Sequence, residues 1–177
     1  METIETLCKR RSIREFNGEK ITKEELNEIL KSAYLSPIGL KRYDRLEIVV
    51  ITNEELIAKW EKDTARIMER EGYKPFYNAP TVILVCSEVD EGVYANVNYS
   101  NAAIVVHNMA LRATDLGIGV CHIWSAPRAL RASENLMQEM GIGKNLVPCC
   151  AVALGKMDGK YETREVEWEK IATRYID

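Results

Sequence analysis

Metal-ligand patterns are scarce in this sequence. It contains two histidines, His107 and His122, and five cysteines, which show no C-x-x-C spacing and include one adjacent pair, Cys149-Cys150. Neither histidine stands at ligand spacing from a cysteine, which argues against a zinc site. We predict no metal site, and we expect the cysteines to be reduced and mostly buried thiols.

The sequence also lacks an excess of positive charge and a long apolar run. The formal net charge is -3, and a general nucleic-acid binder needs a basic surface. No apolar run approaches the ~20 residues of a membrane helix, and residues 1–5 lack the regions of a secretory signal. We therefore expect a cytoplasmic protein that binds neither nucleic acid nor membrane.

The familiar nucleotide-binding fingerprints are absent. Gly117-Ile118-Gly119 follows a predicted helix rather than a strand and does not complete G-x-G-x-x-G, and no Walker phosphate loop occurs. There are no internal repeats and no low-complexity linkers. The 177 residues are enough for one compact core, so we predict a single domain over residues 1–177.

Apolar periodicity predicts an α+β fold. A capping box of Thr22 and Glu25 begins a helix that ends near Ser36-Pro37, and Asn53 begins another. One further helix is predicted from Pro127 to the glycine stop at Gly141. Short apolar runs predict four strands: Leu46–Ile51, Thr81–Cys86, Val120–Trp124 and Val147–Leu154. The first of them is rich in β-branched residues, and the first two are predicted to be buried.

The longest predicted helix, residues 96–116, is apolar nearly all round. Such a helix must be buried on every side, and a chain of this length has little material to cover it. We therefore predict that a partner subunit packs against it, as in obligate dimers. Residues 156–177 are highly charged with thinly spread aromatic residues, and we expect this tail to pack on the partner subunit.

A charged run, Arg10-Arg11-Ser12-Ile13-Arg14, follows the first short helix. If its backbone is extended, Arg10, Ser12 and Arg14 share one side and Arg11 and Ile13 the other. Two guanidinium groups around a hydroxyl suit a phosphomonoester. The alternative is that the arginines only complement the helix dipole and remain solvated.

Three further features each allow a functional and a structural interpretation. Residues 36–39, Ser-Pro-Ile-Gly, are a place where the main chain can approach a ligand, or only a tight turn. The aromatic residues of the loop at 72–80 form a lid or anchor the loop to the core. His122 is a catalytic group or a hydrogen-bonded structural residue.

Taken together, these segments resemble the nitroreductase family of flavin mononucleotide (FMN) enzymes over nearly the whole chain. The resemblance rests on five segments in the family's order. They are Arg10 to Phe16, Ala33 to Gly39 with the strand that follows, Asn78-Ala79-Pro80, His107-Asn108 with Leu116 to Cys121, and Val147-Pro148 through Leu154-Gly155.

The resemblance implies an intertwined homodimer with a central mixed or antiparallel sheet flanked by helices, and two FMN sites at the subunit interface. Arg10 and Ser12 would bind the phosphate and ribityl chain of the flavin and Arg14 its pyrimidine edge. Arg11 is a further cofactor-binding residue, although the alternation turns it away from the other three. The remaining implied contacts are Pro37, Ile38 and Gly39 from the partner subunit, Lys41 as a further cation, Ile123 and Trp124 beside the ring, and Arg164 at the phosphate.

The implied activity is hydride transfer from NAD(P)H through FMN to an oxidised small molecule such as a nitroaromatic or a quinone. The flavin supplies this chemistry, so no catalytic acid, base or nucleophile is predicted, and Arg14 would stabilise the negative charge of the reduced ring.

The chain departs from the family after Pro37. It has Lys41 and then Tyr43-Asp44-Arg45 where many members have Asn and then Gln-Pro-Trp. This departure leaves two alternatives open. One is a non-catalytic or regulatory flavin-binding protein with an altered substrate pocket, and the other is a phosphate-binding module without a redox role.

Overall fold

The computed structural model describes residues 2–177, with Val93 as backbone only, and is built around one antiparallel sheet. Its four strands are β1 (Leu46–Ile51), β2 (Thr81–Ser87), β3 (Gly119–Ile123) and β4 (Val147–Gly155). They lie in the order β1-β2-β4-β3, and each pairing is antiparallel. The predicted α+β class is confirmed, and β3 stands at an edge of the sheet.

Six α-helices surround the sheet. They are α1 (Thr3–Lys9), α2 (Lys23–Tyr34), α3 (Glu54–Ile67), α4 (Ala95–Asp115), α5 (Ser125–Leu130) and α6 (Glu134–Glu139). One face of the sheet packs on α2 and α4, where Ile83, Val152 and Met109 are fully buried. The other face packs on α3 and α5, where Trp60 and Leu130 are fully buried.

The predicted helix starts are confirmed. The Thr22 hydroxyl accepts from the Glu25 N–H at 3.2 Å, and the Glu25 carboxylate accepts from the Thr22 N–H at 2.8 Å, which completes the capping box of α2. The Asn53 side chain accepts from the Leu56 N–H at 3.0 Å at the start of α3. These bonds satisfy N–H groups that have no partner inside their own helix.

The single helix predicted from Pro127 to Gly141 is wrong, because α5 and α6 are separated at Ser133. The N–H groups of Ala132 and Ser133 bond to carbonyls three residues back, which closes α5. The Ser133 hydroxyl donates to the Asp63 carboxylate on α3. This tertiary contact accompanies a non-helical backbone at Ser133 (φ -122, ψ 69). The end of β3 also differs from the prediction, since Trp124 precedes α5 instead of extending the strand.

The loop at residues 72–80 is an anchor to the core. Phe76 is fully buried, and its ring centroid lies 4.7 Å from that of Trp60. The hydroxyl of Tyr73 is hydrogen-bonded to that of Ser125 at 2.8 Å. These contacts fix the loop against α3 and α5.

Helix α4 is covered on most of its circumference but not on all of it. Ile104 is 37% exposed, His107 is exposed and Leu111 is half-buried, so one stripe of the helix faces outward within the single chain. The partner subunit expected on this helix therefore stays a prediction. Among residues 2–177, no helix is both long enough and apolar enough to span a membrane.

The first part of the tail lies on its own chain. The Lys156 N–H donates to the Glu19 carbonyl at 3.1 Å, and the Tyr161 hydroxyl donates to the Ile118 carbonyl at 2.8 Å. Beyond residue 165 the apolar side chains are exposed: Val166, Trp168, Ile171, Tyr175 and Ile176. Packing of this later part on a partner stays a prediction. The five cysteines are free thiols and four of them are buried, as expected.

Candidate functional site

The segment after α1 lies beside the edge strand β3. The Arg10 backbone leaves helical geometry (φ -58, ψ 122), and the Ile13 N–H donates to the Val120 carbonyl at 2.9 Å. A Cβ built on Gly119 would lie 3.1 Å from Phe16 and 3.3 Å from Ile13, so the glycine permits this close approach. The run that carries the predicted phosphate-binding residues therefore covers a sheet edge.

The side chains of this segment act on different neighbours, and the sharing of one side by Arg10, Ser12 and Arg14 stays a prediction. Burial raises the pKa of the Cys121 thiol, and the Arg14 charge, a hydrogen bond from Ser12 and the Arg10 charge oppose that rise. Arg10, Ser12 and Arg14 thus all act on the same thiol. Arg11 turns to the tail instead, where its guanidinium lies 3.7 Å from the Glu162 carboxylate and donates to the Lys160 carbonyl at 3.4 Å.

Arg10 and Arg14 carry positive charge without a carboxylate partner in the part of the chain that the structure describes. Within residues 2–177, neither guanidinium lies in salt-bridge distance of an aspartate or glutamate, whereas Arg45 and Arg112 each have such a partner. The Arg14 Cζ lies 5.9 Å from the centre of the Tyr77 ring. Because Arg14 is exposed, its guanidinium is accessible to an anionic ligand.

The two histidines form a pair on which the charge of Arg10 acts. His107 on α4 and His122 on β3 have ring centroids 5.6 Å apart and ring planes inclined by 33°. Burial, the His107 ring and the Arg10 charge lower the pKa of His122 to about 4. Partial burial and the Arg10 charge also lower the pKa of His107. Both imidazoles are therefore neutral near pH 7.

Sequence reasoning treated the two histidines separately and missed this pair. A signal was present in their distance from the Gly117 turn. His107 lies eight residues before the end of α4, a rise of about 12 Å in a helix. His122 lies three residues after the start of β3, about 10 Å in a strand. Because α4 packs against β3, similar distances from the turn place the two rings side by side.

The residues at the end of β3 occupy different environments. Ile123 is 3% exposed and belongs to the core between the sheet and α3 and α5, so only its main chain can meet a ligand on the open side. Trp124 is 55% exposed at the start of α5. Of the two predicted ring contacts, Trp124 has the accessible side chain.

Arg164 contacts the end of α1. Its guanidinium donates to the carbonyls of Arg10 at 2.6 Å, Cys8 at 3.2 Å and Leu7 at 3.4 Å. Carbonyls in the last turn of a helix have no partner within the helix, so these bonds stabilise the corner at which Arg10 stands. A direct phosphate contact of Arg164 stays a prediction.

The segment after α2 is held by two asparagines of α4. The Asn101 side chain accepts from the Gly39 N–H at 2.9 Å, and Asn108 donates to the Ser36 hydroxyl at 2.9 Å. Ile38 is buried, while Pro37, Gly39 and Lys41 are exposed.

Lys41 has a left-handed backbone with φ 55, directly after Leu40 with φ 59. Within residues 2–177, no hydrogen bond or ion pair joins residues 37–41 to the arginine run. The contribution of this segment to a flavin site of the partner stays a prediction.

Comparison with known proteins decides the family. A family model described as the nitroreductase family matches residues 7–156. The chain belongs to the nitroreductase family. The matched residues of this nitroreductase-family chain include the arginine run, both histidines and Trp124, whereas Arg164 lies outside them.

Two curated relatives are similar over most of their length, and both are named as candidate NADH dehydrogenase/NAD(P)H nitroreductases. The relative from Archaeoglobus fulgidus is 30% identical over 155 residues, which cover 87% of this chain and 84% of the relative. The relative from Methanothermobacter thermautotrophicus is 24% identical over 157 residues, which cover 88% of this chain and 77% of the relative.

Two solved structures share the fold. A nitroreductase with bound FMN from Desulfitobacterium hafniense has a TM-score of 0.82 and 25% identity, with 100% of this chain and 99% of that chain covered. A nitroreductase with bound FMN from Bacteroides fragilis has a TM-score of 0.80 and 24% identity, with 99% of this chain and 100% of that chain covered. The nitroreductase fold of this chain is thereby confirmed.

Proposed function

We propose that this nitroreductase-family chain is an FMN-dependent oxidoreductase that passes hydride from NAD(P)H to an oxidised organic acceptor such as a nitroaromatic or a quinone. The observation that carries the proposal is the arginine run beside the edge strand β3, where the Ile13 N–H donates to the Val120 carbonyl. Within residues 2–177, the guanidinium groups of Arg10 and Arg14 have no carboxylate in salt-bridge distance, unlike those of Arg45 and Arg112. The family match over residues 7–156 and the FMN-bound structures of similar fold support it.

The donor set fits the phosphate of FMN. Guanidinium groups form charge-assisted hydrogen bonds with phosphate oxygens, and a serine hydroxyl adds a further donor. Arg10 and Ser12 are proposed at the phosphate end. Arg11 is the weaker candidate, because Glu162 and Lys160 of the tail already contact its guanidinium.

In the proposed site, the residues of this chain bind and orient FMN and stabilise negative charge on its ring. FMN, when bound, supplies the redox chemistry by taking hydride from a nicotinamide and giving it to the acceptor. Arg14 places a fixed positive charge where the pyrimidine edge is proposed to lie, which stabilises negative charge on it. Trp124 offers an exposed aromatic face beside the same strand end, and the main chain of Ile123 borders it.

A homodimer completes the proposed site. The outward stripe of α4 contains Ile104, His107 and Leu111. His107 of this stripe is paired with His122 of β3, the strand to which the arginine run is hydrogen-bonded. A partner that covers this stripe would bring its own residues 37–41 toward the flavin. The hydrogen bonds of Asn101 and Asn108 with Gly39 and Ser36 hold this segment in place before the two subunits associate.

Two measurements on the purified protein test the proposal. Addition of FMN is expected to give a bound flavin whose absorption bands are shifted and whose fluorescence is changed. NADH or NADPH should then be consumed when a quinone or a nitroaromatic is present. Failure to bind FMN contradicts the whole proposal, including its redox part.

Bound flavin without turnover would favour the non-catalytic flavin-binding alternative. The departure at residues 41–45 is the feature that motivates it. In this chain Arg42 and Arg45 of the segment both form ion pairs with the Asp90 carboxylate. The distance from the Arg42 guanidinium to that carboxylate is 3.2 Å. Tyr43, which is half-exposed, donates to the Ser36 carbonyl at 3.3 Å. A fixed segment of this kind would narrow the pocket in which an acceptor binds.

A further inference from the structure

The pairing of His107 and His122 is not explained by the proposed redox role, which needs no imidazole. The two ring centroids are 5.6 Å apart, and the Arg10 charge acts on both rings. Within the single chain, His107 is exposed on the outward stripe of α4, and His122 is half-buried on the edge strand. Arg10 ends α1, which packs on α4, and the run that follows it is hydrogen-bonded to β3 at Val120, so Arg10 lies against the two elements that carry the rings.

We propose that His107 and His122 form a phosphate-responsive pair, which takes up one proton when the FMN phosphate binds at Arg10 and so favours FMN over unphosphorylated riboflavin. The proposal deepens the cofactor assignment and rests on the proposed function. It concerns binding specificity and needs no step of the redox reaction.

The physical argument starts from the groups that face the two rings. Arg10, at the end of α1, is the charged group that acts on both imidazoles, and the rings also act on each other. Cys121 precedes His122 in the chain and has a raised pKa, so it stays neutral. Across the sheet, Val152 of β4 pairs with His122 and is apolar. Within residues 2–177, no carboxylate contributes to these surroundings.

Phosphate binding reverses the sign of the field at the pair. Without ligand, the Arg10 charge disfavours an imidazolium next to it. A phosphomonoester carries about -1.5 to -2 charges at pH 7, so the combined charge of Arg10 and phosphate becomes negative. An imidazolium is then favoured, and it adds a charge-assisted donor. Two adjacent imidazolium groups repel each other, so we expect one proton for the pair.

The direction of the pH effect follows from linkage. A proton taken up on binding makes the affinity for FMN rise as the pH falls through the pKa of the pair in the complex. The phosphate of free FMN gains its own proton near pH 6, which weakens binding in the same range. The effect of the histidines must therefore be measured as a difference from a variant without them.

The first experiment uses the fact that the chain contains only two histidines. In protein without a histidine tag, the imidazole NMR signals belong to His107 and His122 alone. Their titration is followed from pH 5 to 8, first without ligand, then with riboflavin and then with FMN. We expect FMN to raise the pKa of the pair by at least one unit and riboflavin to leave it unchanged.

The second experiment compares affinities. The dissociation constants of FMN and riboflavin are measured by flavin fluorescence at pH 8 and pH 6 for the wild type and for His107→Gln/His122→Gln. The FMN affinity of the wild type relative to the variant should rise about threefold as the pH falls to 6, because the tenfold limit set by a shift of one pKa unit is reached only below the pKa of the ligand-free pair. The same ratio for riboflavin should stay constant. Calorimetry in buffers of different ionisation enthalpy should detect uptake of one proton with FMN.

The outcomes separate the two proposals. If wild type and variant bind FMN with the same pH profile, and FMN leaves the imidazole signals unmoved, the histidine pair has no such role although the cofactor assignment stands. If FMN does not bind the wild type at any pH, the proposed function itself fails and this inference fails with it. The NMR titration of the wild type decides the matter even if the double variant does not fold.

Discussion

Arg10 links the start of the chain to three other parts of the molecule. Its main-chain carbonyl accepts from Arg164 of the tail. Its charge acts on Cys121 and His122 of β3 and on His107 of α4. A substitution at Arg10 therefore changes the electrostatics of several groups at once, whereas Arg14, 5.9 Å from the Tyr77 ring, has simpler surroundings.

Substitution of Arg10 and of Arg14 should have different effects, one on the affinity for FMN and the other on the midpoint potential of bound FMN. Arg14→Leu should lower the midpoint potential of bound FMN by about 30 mV, which for a two-electron couple is about 1.4 kcal/mol, because it removes a charge that stabilises the reduced ring. Arg10→Leu should mainly weaken FMN binding, since it removes a phosphate donor.

Spectroelectrochemistry and fluorescence titration measure the two quantities. Arg14→Lys is the matched control, because it keeps the charge and should retain most of the potential. Unchanged potential and affinity in both leucine variants would contradict the assignment of the arginine run.

His122 should make the stability of the ligand-free protein depend on pH. Its folded pKa is about 4, below the ordinary value of about 6.5, so the unfolded chain binds the proton more readily between these values. Stability is therefore lost as the pH falls from 6.5 to 4, with an upper bound of about 3 kcal/mol from this group.

The measurement is urea unfolding of the wild type and of His122→Gln at pH 7 and pH 4.5. Carboxylates also titrate in this range, but both proteins share that contribution. The variant should lose less stability than the wild type on acidification, and equal losses would show that His122 is not held neutral by the fold.

At the residue scale, the sequence predicted local backbone geometry and missed what depends on packing. The non-helical backbone at Arg10 follows from the end of the short first helix, whereas the shared side of Arg10, Ser12 and Arg14 stays a prediction. The burial of Ile123 depends on which face of β3 meets α3 and α5. The contact of His107 with His122 depends on how α4 lies on the sheet. Neither can be derived from spacing alone.

At the scale of elements, the capping box of α2 is the clearest local signal in the chain. Thr22→Ala removes the hydroxyl that accepts from the Glu25 N–H and should cost about 1 kcal/mol of unfolding free energy. Denaturant unfolding measures it. Thr22→Ser keeps the hydroxyl and is the control. A loss of equal size in both variants would mean that packing of the threonine methyl group, rather than the cap, stabilises the start of this helix.

The elements that the sequence predicted well have strong local determinants. Each strand contains a mainly apolar run, and α2 and α3 begin with side-chain caps. The break between α5 and α6 has no such local determinant. Ser133 donates to Asp63, 70 residues away in sequence. The end of the helix at Gly141 can be predicted from the glycine in the sequence, whereas the hydrogen bond of Ser133 with Asp63 can be recognised only in the folded structure.

At the scale of the whole molecule, the open stripe of α4 argues for a second subunit. Ile104→Glu places a charge on this stripe and should shift the protein to a monomer and weaken FMN binding. A buried charge without a partner is unfavourable at an interface. Sedimentation velocity and FMN titration follow the two effects. Ala58→Glu, at an exposed position of α3, is the matched control and should change neither. A monomeric wild type that retains FMN would contradict the two-subunit site.

The bond from Arg164 to the Arg10 carbonyl spans 154 positions of sequence, and this has a consequence for the timing of biosynthesis. A ribosome adds residues in order, so α1 emerges long before its partner in the tail exists. All four strands can be translated while the corner at Arg10 still lacks the guanidinium that stabilises it. Maturation of this corner is therefore among the last events of translation, and the backbone at Arg10 is stabilised by the tail only after residue 164 has left the ribosome.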